Sequence, residues 1–136
     1  MDKNLEYHIL SEKRVMIEVL KGFVTLNDYI NLKKRQLKDK EFNPYFNLII
    51  DIRELKVSSA NISKGQTKKF LEFIKPIDDF SKTKQVAVIT TTPDQVVYST
   101  INNMLDDRDI FYEIFSTKNA AIAWLGLNSS EIDIIS

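Results

Sequence analysis

Apolar and polar positions alternate at the start of the chain. Leu5, Tyr7 and Ile9 interleave with Glu6, His8 and Leu10, and after a polar break at 11–13 Val15, Ile17 and Val19 resume the pattern. A period of two is that of a strand, so this stretch predicts a hairpin that ends at Gly22. Thr25 to Asp28 then has the form of a capping box with Asp in place of Glu. Leu26, Tyr29, Ile30 and Leu37 follow at helical spacing, and Lys33, Lys34, Arg35 and Lys38 suit the carboxyl end of that helix dipole. The runs 48–52 and 86–89 are almost continuously apolar, as in central strands covered on both faces. Between them Phe70, Phe73, Ile74 and Ile77 recur at the spacing of a second amphipathic helix, which Pro76 helps to end. Thr92-Pro93-Asp94 supplies a cap, a first-turn proline and a first-turn acid for a third helix carrying Val97, Ile101, Met104 and Leu105. Residues 110–115 read as a strand, and Thr117 caps a short helix over 120–125 that Gly126 closes.

The resulting order, β-β-α-β-α-β-α-β-α, predicts an α/β fold: a mixed five-stranded sheet in sequential order, with an antiparallel amino-terminal hairpin, right-handed crossovers elsewhere and four helices. The expected core comprises Val15, Ile17, Ile49, Ile50, Ile52, Phe73, Val86, Val88, Ile89, Ile101, Ile114 and Trp124. Residues 1–136 are expected to form one domain with 127–136 as a carboxyl-terminal tail. Ile132, Ile134 and Ile135 predict that this tail docks against the domain or a second copy, and a homodimer through a sheet edge or the tail is a further expectation.

Composition narrows the function classes. The 136 residues suit one core. Nineteen basic and nineteen acidic residues cancel, so no net field favours nucleic acid. The chain has no cysteine and a single histidine, His8, which removes disulfides, thiolate chemistry and cysteine or multi-histidine metal sites. No apolar run approaches a membrane span and the charged start does not resemble a signal peptide, so a cytoplasmic protein is expected. No phosphate-loop, dinucleotide, nucleophile-elbow or zinc-helix motif is present. These features predict a non-enzyme without metal or cofactor.

Segment 21–28 after the hairpin, segment 42–53, the strand 86–89 and the ending Ala120-Ala-Ile-Ala-Trp-Leu-Gly126 together resemble the stand-alone SpoIIAA-like, STAS/SEC14-type family over nearly the whole chain. The resemblance implies a β/α superhelix shared by anti-sigma-factor antagonists and SEC14-like lipid-binding domains. In the phospho-switched antagonists an Asp-Ser-Ser-Gly segment presents the acceptor serine. The matching stretch here is Val57-Ser58-Ser59-Ala60, which keeps two serines and lacks the acid and the glycine. Ser58 and Ser59 are thus weak phosphoacceptor candidates, with capping by Ser58, Ser59 or Ser63 as the plainer explanation.

For a small ligand the expected site is the carboxyl edge of the parallel strands, at Arg53, Ser58, Ser59, Thr91 and Thr92. A crevice, helix amino termini and a guanidinium coincide there and favour an anion. An internal salt bridge with Asp51 is an equally good account of Arg53, and capping accounts for Thr25, Thr91, Thr92 and Thr117 one by one. Phe70 and Phe73, or Phe42, Tyr45 and Phe46, could line an apolar pocket, with core packing as the simpler account. Lys33 to Lys40 reads as a charged helix face, Asp106 to Asp109 as a solvated turn, and His8 as a surface or packing residue. Two functions follow: a STAS-like regulatory module recognising a protein or small anionic ligand, or a SEC14-like carrier of a lipid or other apolar molecule. An unrecognised hydrolase ranks last.

Overall fold

A computed structural model of the chain describes residues 3–57, 64–75, 84–106 and 108–136. Strands β1 (Asn4–Leu10), β2 (Val15–Gly22), β3 (Asn47–Leu55), β4 (Lys84–Ile89) and β5 (Ile110–Phe115) form one sheet in the order β1-β2-β3-β4-β5. The β1–β2 pair is antiparallel and the others are parallel. Helices α1 (Leu26–Leu37), α2 (Lys64–Ile74) and α3 (Pro93–Leu105) connect the parallel strands, and α4 (Lys118–Trp124) follows β5.

Local chemistry sets the helix starts as the sequence implies. Thr25 and Thr92 form complete capping boxes with Asp28 and Gln95, Pro93 opens α3, and the Thr117 hydroxyl accepts the Ala120 amide. Gly22 and Gly126 adopt φ of +79° and +77°, a left-handed backbone that glycine enters without steric penalty. The predicted Ile77 and Pro76 end of α2 lies outside the described residues.

Three consecutive parallel connections of one hand place α1, α2 and α3 on the same face of the sheet. That face buries Met16, Leu20, Leu48, Ile52, Val86 and Val88 against Leu32, with Tyr29 and Tyr98 packed beside them. The opposite face buries Val15, Ile17, Val19, Ile49, Ala87 and Ile89. Seven residues of α4 are too short to cover it. The tail completes the layer by setting Ile132 and Ile135, both buried, into the same cluster as Ala121 and Ile122. Ile134 points outward, and Lys13 and Glu131 form an ion pair beside the tail.

One expectation about burial is corrected. Ile50, Phe73, Ile101, Ile114 and Trp124 are half-buried instead of fully enclosed, because they lie toward the margins of the layers or face a cavity. Residues 15–20 of β2 are all buried, since β1 and β3 flank the strand and both faces are packed.

Candidate functional site

At the expected anion site, Arg53, Thr91 and Thr92 bond to the protein's own groups. Asp51 and Arg53 form a two-pronged pair, Nε to Oδ1 at 2.9 Å and Nη2 to Oδ2 at 2.8 Å. The Asp51 carboxylate bonded to Arg53 raises the guanidinium pKa further and fixes its direction. At the start of α3 the Gln95 side-chain oxygen accepts the amides of Thr91 and Thr92, at 2.7 and 3.1 Å. The Gln95 side-chain amide donates to the carbonyls of Arg53 and Leu55, and the Thr91 hydroxyl donates to the Arg53 carbonyl. Gln95 is buried and ties α3 to the end of β3. Arg53, Thr91 and Thr92 therefore do come together, but as a self-satisfied junction. Ser58 and Ser59 lie outside the described residues.

A cavity of about 140 Å³ opens between the sheet and α1, α2 and α3. Leu20, Ile50, Ile52 and Val88 form its floor. Tyr29, Phe70, Tyr98 and Tyr112 contribute aromatic walls, and Thr25 and Leu26 place its rim toward the carboxyl ends of the strands. The Tyr29 and Phe70 rings meet at 5.3 Å in a tilted arrangement. Phe70 also lies under the Arg108 guanidinium at 5.8 Å, which seats α2 on the cavity wall. Of the aromatics singled out in the sequence, Phe70 lines the cavity, Phe73 packs with Leu71 and Ile74, Phe46 is buried and Tyr45 is exposed.

Two polar clusters support this wall. Glu18, fully buried on β2, accepts hydrogen bonds from the Tyr29 hydroxyl at 2.7 Å, the Gln36 amide at 2.8 Å and the Lys33 ammonium. Burial pushes the Glu18 carboxyl up, but the Lys33 charge and the hydrogen bonds from Gln36, Lys33 and Tyr29 outweigh it and hold the pKa below its ordinary value. Tyr29 is correspondingly raised by burial and by the Glu18 charge, so it stays protonated and donating. Gln36 Oε1 has no partner, the single buried side-chain polar atom so placed among the described residues. Lys33 is therefore no part of a solvated helix face: it is 4% exposed, because it is the counter-charge of Glu18.

The second cluster corrects the reading of 106–109 as a solvated turn at Asp106 and Arg108, while Asp109 is exposed and residue 107 lies outside the described residues. Asp106 Oδ2 receives the Arg108 guanidinium at 2.6 Å and the Tyr112 hydroxyl at 2.7 Å, with both charged side chains almost wholly buried. Burial raises the Asp106 carboxyl, and the Arg108 and Tyr112 hydrogen bonds reverse this, so it stays ionised with a lowered pKa.

The pairing of Glu18 with Lys33 escaped the sequence reading, although a signal was present. A single Glu inside the apolar run Val15-Met-Ile-Glu-Val-Leu20 marks a charge that a doubly covered strand must bury and pair.

Lys84, buried at the start of β4, belongs to the same electrostatic neighbourhood. Burial first, then the Lys33 and Arg108 charges, push its pKa down to about 8 against the opposing pull of Glu18. The unfolded chain keeps this proton up to a pH of about 10.4. Between pH 8 and 10 it therefore binds more protons than the folded chain, and stability rises with pH. The expected gain from pH 7.5 to 10 is about 2–3 kcal/mol relative to Lys84→Met, which cancels the contribution of the raised tyrosines. Urea denaturation of both proteins across this range checks it, and parallel profiles would refute it.

No protein-family model matches the sequence, and comparison with curated proteins finds no match. Among solved structures the chain is similar to an uncharacterized protein from the DUF3478 family of Shewanella loihica PV-4, described as having a SpoIIAA-like fold. The TM-score is 0.57 at 19% identity, with 90% of this chain and 93% of that chain covered. The chain has a SpoIIAA-like fold. The SpoIIAA-like sheet, with three helices on one face and α4 on the other, places the cavity beneath α1, α2 and α3 and leaves the strand ends tied by Asp51, Arg53 and Gln95. Among the described residues no helix is long and apolar enough to cross a membrane, and no group of three or more His, Cys, Asp or Glu could hold a metal ion.

Proposed function

We propose that the protein is a non-catalytic binding module that takes a small apolar ligand into the cavity between the sheet and α1–α3. The observation that carries this reading is the cavity itself, about 140 Å³ and walled mainly by apolar and aromatic side chains. An apolar cavity of roughly 150 Å³ binds benzene, whereas drug-sized ligands occupy about 300–1,000 Å³. The ligand is therefore a single ring or a short chain, smaller than a whole lipid. Of the two expectations drawn from the sequence, this favours the carrier of an apolar molecule. The anionic alternative loses support because Arg53 and the amides of Thr91 and Thr92, just before α3, are engaged within the protein.

A second reading, recognition of a protein partner, is supported by exposed Val97 and Met104 on α3, the helix whose inner side walls the cavity.

Titration of the ¹⁵N-labelled protein with benzene tests the main reading. The expected shifts cluster at Leu20, Ile52 and Val88, and Val88→Phe, which fills the space from the floor, removes them. Shifts centred on Arg53, or none at saturating benzene, would overturn the assignment.

A further inference from the structure

Resting on the cavity reading, we infer that the preferred ligand is a neutral monocyclic aromatic bearing one hydroxyl-type hydrogen-bonding group, received by Ser99. Ser99 lines the cavity from α3 and is only 8% exposed, yet among the described residues its hydroxyl has no hydrogen-bond partner. The other polar groups of the wall differ in this respect. Tyr29 donates to Glu18, Tyr112 donates to Asp106, and the Thr25 hydroxyl accepts the Asp28 amide. The hydroxyl borders the cavity with its hydrogen-bonding capacity unspent, so a ligand group can either donate to it or accept from it.

Charge and shape narrow the class further. The single carboxylate in the wall, Asp106, is held by Arg108 and Tyr112, so an anion meets a carboxylate and a cation meets a neutralised one. Either charged ligand would leave its own charge uncompensated in an apolar space. The aromatic walls offer faces and edges that a flat ring uses at 4.5–7 Å and a flexible chain does not. The volume admits one ring.

The test compares benzene, phenol and 1-hexanol by NMR titration against the wild type and Ser99→Ala, a change that is conservative for a helix. Phenol is expected to bind tightest to the wild type. Ser99→Ala should lower phenol affinity by about three- to ten-fold, the worth of one hydrogen bond, while leaving benzene unchanged. Equal loss for benzene and phenol, no loss for phenol, or preference for 1-hexanol would overturn the inference while leaving the cavity as a binding site. Failure of all three probes to shift cavity resonances would overturn the cavity reading and this inference together. An unchanged melting temperature for the substituted protein confirms that any loss is local.

Discussion

Lys33→Met is expected to destabilise the fold by about 3–5 kcal/mol, because it leaves Glu18 charged and buried without its counter-ion. The effect arises from complete burial: the Glu18 side chain is 0% exposed and that of Lys33 5%, so water cannot compensate either group. Glu18→Leu combined with Lys33→Met should recover most of the loss, since exchanging a buried pair for apolar side chains is often neutral. The Tyr29 hydroxyl and the Gln36 amide then lack their acceptor, and the double variant stays below the wild type by about 1–3 kcal/mol. Urea denaturation of the three variants checks the order. A single variant within 1 kcal/mol of the wild type would show that the pair does not act as described.

The same pair fixes the sign of the acid response. Because the folded Glu18 pKa is lowered, its contribution is fully present above the unfolded value and is lost as pH falls through the folded one.

The second large effect concerns the tail. Ile132 is wholly buried and Ile135 is 3% exposed, both against strand residues such as Val15 and Ile17. Ile132→Ala or Ile135→Ala should each lose about 2–5 kcal/mol, from transfer plus the cavity left behind. Ile134, 42% exposed, is the control, and its replacement by Ala should change stability by less than about 0.5 kcal/mol. Equal effects at all three positions would mean that the tail does not pack as a layer.

Local chemistry made most of the framework legible. Thr25 with Asp28, Thr92 with Pro93, and the apolar runs at 48–52 and 86–89 each specify an element through interactions within a few residues, and the elements form where those signals lie. The site was less legible because its determinants are distant in sequence. Glu18 meets Lys33 fifteen positions later, and Gln95 reaches back about forty residues to Arg53 and Leu55. Nothing local distinguishes such a lysine from its solvated neighbours Lys34 and Lys38. Arg53 shows the converse: its partner Asp51 was two residues away, and geometry alone decided between an internal pair and a ligand clamp. The cavity is harder still, since periodicity reports which side chains turn inward and not whether they meet.

The tail also has a consequence for the order of events in folding. Each strand pairs with its neighbour in sequence, so every sheet contact closes a loop no longer than one hairpin or one helical crossover. The contact of Ile132 with the face carrying Val15 and Ile17 instead joins two ends of the described chain, a far longer closure than any strand pairing and entropically dearer. The sheet and its three-helix layer can therefore assemble first, with the tail closing over the opposite face last. In native-state hydrogen exchange the amides of 127–136 should open at a lower free energy than those of β2 and β3, as a separate unit that detaches before the sheet does.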